Sequence, residues 1–113
     1  MRFAHFFVKM ALRAIRLQSK ERWKVGCIVV NKAGRVISTG YNRRRSDDTI
    51  LHAEVMALSK LTVADRYGAI VYCTWSPCKC CEQYMRDYGV SKVYYMGEYS
   101  LNLPVPQDLC TKF

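Results

Sequence analysis

Two short pieces of this sequence combine residue types that can do chemistry together. One is His52-Ala53-Glu54 and the other is Pro77-Cys78-Lys79-Cys80-Cys81. Cys78 and Cys81 are three residues apart, a spacing that puts both thiols on one face of a helix. Thiolates so placed can reach one tetrahedral ion at about 2.3 Å each. A helix N-terminus also favours negative charge and so lowers the pKa of a thiol there. His52 offers a third ligand through an imidazole nitrogen. Three protein ligands leave a fourth position open. That is the pattern of catalytic zinc, whose bound water loses its proton near pH ~7 instead of about 15.7. Glu54 is too close to His52 to be a comfortable fourth ligand. Its carboxyl can instead reach the water, take its proton and hand it to a leaving group. The reading is one zinc ion per chain, ligated by His52, Cys78 and Cys81, with Glu54 as the catalytic acid and base.

The other cysteines read differently. Cys80 points about 200° away from Cys78 around a helix, which argues against its joining a closed structural Cys₃His site. Cys27 and Cys73 fall in apolar runs and read as small core residues. Cys110 reads as a tail thiol, and His5 as a structural residue of the first helix. Six cysteines in a short chain suggest a disulfide framework only in a secretory context. The start, Met1 to Lys9, is broken by His5 and Lys9 and has no small-residue cleavage site after it. A reducing, cytoplasmic compartment is therefore expected.

The elements that must carry these pieces follow from periodicity. Phe3, Phe7, Met10, Ala14 and Leu17 recur at helical spacing and predict an amphipathic first helix, with this stripe packed and its basic residues solvated. Val25 to Val30 is a continuous β-branched run, expected as a strand buried on both faces. Asn31 to Gly34 is turn chemistry, and Val36 to Tyr41 reads as the returning strand. Asn42 to Ile50 is polar and basic and reads as a loop. Leu51 to Leu61 predicts a helix and Ala69 to Thr74 a second buried strand. Pro77 is placed to open a helix that runs to about Tyr88. Lys92 to Met96 predicts a fourth strand, and the tail with Pro104 and Pro106 reads as irregular. The order is α-β-β-α-β-α-β, with no internal repeat. It predicts an α/β fold in which helices cover both faces of a mixed sheet of four to five strands.

At 113 residues the chain is expected to be a single domain over 1–113. Half of it is apolar and 24% is charged, the composition of a globular protein rather than a disordered one. No apolar run approaches the ~18 residues of a membrane span, so no membrane partner is expected. Charge is uneven. Residues 1–45 hold twelve Lys/Arg against the single acid Glu21, a net of +11, whereas residues 46–113 hold six against eight, a net of −2. The first part suits an anionic partner, nucleotide or nucleic acid. Arg43, Arg44 and Arg45 follow the second strand directly. Arginine binds phosphate bidentately, so Arg43 and Arg44 are candidate phosphate contacts. The alternative is a solvated loop balanced by Asp47 and Asp48.

His-x-Glu followed by Pro-Cys-x-x-Cys is the signature of zinc-dependent nucleobase deaminases. Over residues 1–99 the chain resembles the cytidine/deoxycytidylate deaminase superfamily, and most of all its dCMP deaminases. The likeness is carried by Lys24 to Val30, Arg35 to Asn42, His52-Ala53-Glu54, Ser76 to Cys81 and Gly89 to Met96. The resemblance implies a three-layer α-β-α cytidine deaminase-like fold and a hydrolase that converts dCMP to dUMP and ammonia. It implies zinc at His52, Cys78 and Cys81, with Glu54 as proton shuttle. It also implies substrate contacts from Asn42 and from backbone groups at Ala53 and Ser76, with Tyr99 counted among them. Only residues 43–51 separate the Gly-Tyr-Asn turn from the His-Ala-Glu helix, a brevity that resembles tRNA adenosine and guanine deaminases. Trp75-Ser76-Pro77-Cys78 resembles the polynucleotide cytidine deaminases, in which Trp75 would stack a base; packing at a strand end is its other role. The alternative substrates are therefore tRNA adenosine or single-stranded cytosine, and a minor alternative is a non-catalytic zinc-stabilised nucleic-acid-binding module. Subunit contacts are expected to cover an open sheet edge, which makes a homo-oligomer the expected assembly.

Overall fold

The computed structural model describes residues 2–96 and 110–112, with side chains from residue 8 to residue 96. The Tyr99 expectation lies outside the described residues. Four helices, α1 (Arg2–Arg16), α2 (Ala53–Ser59), α3 (Val63–Arg66) and α4 (Lys79–Asp87), accompany strands β1 (Gly26–Val30), β2 (Val36–Tyr41), β3 (Arg43–Arg44), β4 (Ile50–Leu51), β5 (Ile70–Cys73), β6 (Lys92–Tyr95) and β7 (Cys110–Lys112). The main sheet has the order β2-β1-β5-β6-β7. β1 runs antiparallel to β2 and β5, while β5, β6 and β7 are parallel. This is the mixed sheet that the element order predicts, at its upper strand count.

Burial follows the pleat. All five residues of β1 are buried, because both faces of the sheet are covered. Cys27 and Val29 face the layer that holds Ala53, Ala57, Leu58 and Met85 of α2 and α4. Ile28 and Val30 face α1 through Leu12, with Val8, Ala11 and Ile15 packed around them. Two glycines let the layers close. A Cβ on Gly26 would lie 2.8 Å from the Leu12 carbonyl oxygen on α1, and one on Gly40 would lie 2.3 Å from the Ala53 carbonyl oxygen on α2. Neither backbone could stay where it is with a larger residue there.

Several expectations need correction. Among the described residues of α1, those packed on the sheet are Val8, Ala11, Leu12 and Ile15; of the predicted stripe, Met10 and Leu17 are 52% and 68% exposed. The helix carries two apolar stripes, and the sheet takes the one rich in branched side chains that fit its surface. The polar segment after Asn42 is not all loop. Arg43 and Arg44 pair with Leu51 and Ile50 in a small hairpin, so α2 starts at Ala53 rather than Leu51. Pro77 stands outside α4, whose N-cap is Cys78. The short α3, capped by Thr62, has no apolar stripe to announce it. The tail is not wholly irregular: Cys110–Lys112 occupy the edge of β6. Among the described residues, no helix is long and apolar enough to cross a membrane.

Candidate active site

The two chemical motifs meet because two helices begin at the same end of the sheet. His52 is the N-cap of α2, with extended backbone angles (φ −70°, ψ 150°), and its side chain makes no capping hydrogen bond. Cys78 is the N-cap of α4, and its thiol sulfur accepts a hydrogen bond from the Cys81 N–H at 3.4 Å. One imidazole nitrogen of His52 and the sulfurs of Cys78 and Cys81 lie within 4.8 Å of one another. A single ion with bonds of about 2.0–2.3 Å can span such a set, and two thiolates with one imidazole are the donors zinc favours. Cys80, the neighbour that could have competed, is exposed and outside this group.

Burial dominates the electrostatics here. The Cys81 thiol is pushed well above its ordinary pKa by burial, then by the nearby Glu54 carboxyl and the Cys78 thiol. Glu54 is 3% exposed. Burial raises its carboxyl pKa as well, against hydrogen bonds from the Cys81 and Cys73 thiols and the charge of His52. Negative charge is thus costly in this corner until a cation joins it, which fits a metal centre. Cys73 stands opposite Cys27 across β5 and β1, with the two sulfurs 3.8 Å apart and both residues fully buried. Both are core residues, as expected, and burial raises the Cys27 pKa.

A cavity of about 220 Å³ opens beside these groups. His52, Glu54 and Cys78 line it, together with Ala53, Ser76 and Trp75. Asn42 lines it too. Of the predicted site residues, Cys81 is buried and is not among the residues that line the cavity. Asn42 has half of its amide's hydrogen-bonding capacity committed to the backbone. Its Oδ1 accepts from the Val25 N–H at 2.8 Å, and its Nδ2 donates to the Trp23 carbonyl oxygen at 2.5 Å. One N–H and one lone pair are left over for a ligand.

The arginines are elsewhere. Arg43 and Arg44 line a neighbouring cavity of about 330 Å³ with Gln18, Lys20, Glu21 and Tyr41. Side chains alternate along an extended segment, so Tyr41 and Arg43 turn away from the side that Asn42 faces. Arg44 is held by Glu21 and Asp48, at 3.2 Å and 3.3 Å. Arg44 thus has the Asp48 partner that the solvated-loop alternative supplies, whereas Arg43 makes no ion pair among the described residues. Sequence reasoning missed Trp23, Val25 and Ile50, which also line the 220 Å³ cavity. The one available signal for Trp23 was an aromatic set between Arg22 and Lys24, just ahead of a buried strand and outside any periodic face.

Comparison with known proteins agrees with this geometry. Residues 1–97 match the family described as the cytidine and deoxycytidylate deaminase zinc-binding region. The deoxycytidylate deaminase of Saccharomyces cerevisiae is 31% identical over 86% of this chain, but the match spans only 38% of the yeast protein. That of Mycobacterium phage D29 is 30% identical over 82% of this chain and 93% of its own length. Among solved structures, the dCMP deaminase of cyanophage S-TIM5 in complex with dCMP and dUMP aligns with a TM-score of 0.75 at 29% identity, covering 99% of this chain and 97% of that one. Cytidine deaminase of Mycobacterium tuberculosis, at 18% identity and a TM-score of 0.60, shares the fold. By its matched motif region and its architecture, the chain belongs to the cytidine and deoxycytidylate deaminase zinc-binding family.

Proposed function

We propose that the chain is a zinc-dependent hydrolytic deaminase that converts dCMP and water to dUMP and ammonia. One observation carries the reading: a His/Cys/Cys donor set within 4.8 Å beside a buried carboxyl on the same cavity. His52, Cys78 and Cys81 would hold the zinc. When bound, zinc acts as a Lewis acid and makes hydroxide available from water near neutral pH.

The chain's own residues do the rest. Glu54 accepts the proton of the attacking water and delivers it to ring nitrogen N3 as oxygen bonds to C4. The same carboxyl then carries the hydroxyl proton to the 4-amino group. The C4–N bond breaks, ammonia leaves and a carbonyl remains at C4. Backbone groups at Ala53 and Ser76 read the edge of the base, and Trp75 packs on its face. Asn42 uses its remaining N–H and lone pair on the sugar. Arg43, which lines the neighbouring cavity and makes no ion pair among the described residues, is the candidate to reach the phosphate from there.

Free thiols at all five described cysteines support a reducing, cytoplasmic setting. The sheet ends in β2 and β7, and a homo-oligomer that covers such an edge is the proposed assembly. The test is ammonia release from dCMP, dCTP, deoxycytidine, cytidine, guanine, tRNA and single-stranded DNA. dCMP should react fastest. Reaction of the polymers alone would replace this reading with a polynucleotide deaminase, whose affinity should also fall steeply between about 50 and 200 mM salt.

A further inference from the structure

Trp23 is an exposed aromatic that the proposed reaction does not use. It is 59% exposed, yet it lines the same cavity as His52, Glu54 and Trp75. An indole that size is ordinarily covered, because leaving its face in water forgoes a large apolar contact. The segment that carries it has no helix or strand, but it is firmly tied. Ser19 is 2% exposed; its hydroxyl donates to the Asn42 carbonyl oxygen at 2.7 Å and accepts from the Glu21 N–H at 3.2 Å. The Lys24 ammonium bonds the carbonyl oxygens of Ser19 and Glu21. The Asn42 amide grips the Trp23 carbonyl and the Val25 N–H, and the Asn42 N–H returns a bond to the Val25 carbonyl at 3.2 Å. These bonds fix the Trp23 backbone at the mouth of the cavity and spend buried polar groups to do so. A large apolar face held in place beside a small pocket is preorganised for a flat ligand.

We infer that Trp23 is a substrate-binding residue: its indole is part of the lining of the cavity and covers the nucleoside of the bound nucleotide. The inference rests on the dCMP reading of the site and adds a binding residue to it. Stacking on an aromatic face suits any pyrimidine and does not involve the phosphate. The Asn42 amide holds the Trp23 backbone carbonyl, so truncating the side chain leaves that bond in place.

Two measurements test it. In the first, Trp23→Ala raises KM by about tenfold, and by the same factor for dCMP and deoxycytidine, while kcat changes less than about twofold. Trp23→Phe, which keeps an aromatic face, recovers most of the loss. In the second, zinc-loaded Trp75→Phe protein is titrated with dUMP. Trp23 is then the one tryptophan in the chain, and its emission changes saturably. A Trp23→Ala protein with unchanged KM, or an emission that dUMP leaves flat, overturns the inference. A change of emission with single-stranded DNA but not with dUMP overturns it too. If the unmodified protein releases no ammonia from dCMP, the functional reading fails instead, and the dUMP titration still decides the role of Trp23.

Discussion

One wall of the cavity is made from two helix starts, and the other from an irregular segment pinned by a side-chain amide. On the first wall, His52 and Cys78 are the N-caps of α2 and α4, and Glu54 and Cys81 follow within each first turn. On the second, Trp23 and Val25 hang from Asn42, and the arginines beyond it turn toward a different cavity. The first wall needs particular chemical groups at fixed spacing. The second needs surfaces at particular places, which several sequences could supply. Substitutions should therefore cause large losses on the helix wall and graded losses on the loop wall.

The largest effect is expected at Glu54. Glu54→Ala should lower kcat by about 10²–10⁴-fold, the usual worth of a positioned acid and base. Zinc content should stay at one ion per chain, because the carboxyl is not in the donor group. Near-normal ammonia release from this variant would remove the proton shuttle from the mechanism. Removing the metal comes next. A chelator should abolish turnover and lower the thermal midpoint, since a ligand at 1,000 times its Kd stabilises the folded chain by about 4 kcal/mol. Unchanged melting would mean that zinc is not resident.

That contrast also explains what could be read from the sequence. His52, Glu54, Cys78 and Cys81 were legible because metal and proton chemistry restricts residue type, and helical geometry restricts spacing. The sheet was legible because β1 is buried on both faces and shows it as an unbroken β-branched run. The face of α1 was not, because two apolar stripes compete and only the sheet decides between them. The hairpin of β3 and β4 has two residues per strand, too few for a period. Trp23 was invisible because its place depends on Asn42, seventeen residues beyond Val25 in the chain.

On the loop wall the clamp itself is the next target. Asn42→Ala strips partners from the Val25 N–H and the Trp23 carbonyl, and an unsatisfied buried polar group costs about 1–3 kcal/mol. Denaturant unfolding should show that loss. KM for dCMP should rise as the Trp23 segment loosens, with a smaller change in kcat. Loss of kcat as severe as in Glu54→Ala would show that the two walls are not separable.

The smallest effect is expected at Arg43, and its sign discriminates most. If its guanidinium takes the phosphate, Arg43→Ala raises KM for dCMP and leaves deoxycytidine alone. Arg43 is exposed and makes no ion pair among the described residues, so the cost is that of one solvent-screened charge pair, about 0.2–1 kcal/mol, or roughly 1.4- to 5-fold in KM. Arg44 is already engaged by Glu21 and Asp48, so Arg44→Ala should disturb the hairpin without separating nucleotide from nucleoside. Equal effects of Arg43→Ala on both substrates would place the phosphate away from this cavity. The basic surface would then serve some other anion, and the loop wall would act through Trp23 and Asn42 alone.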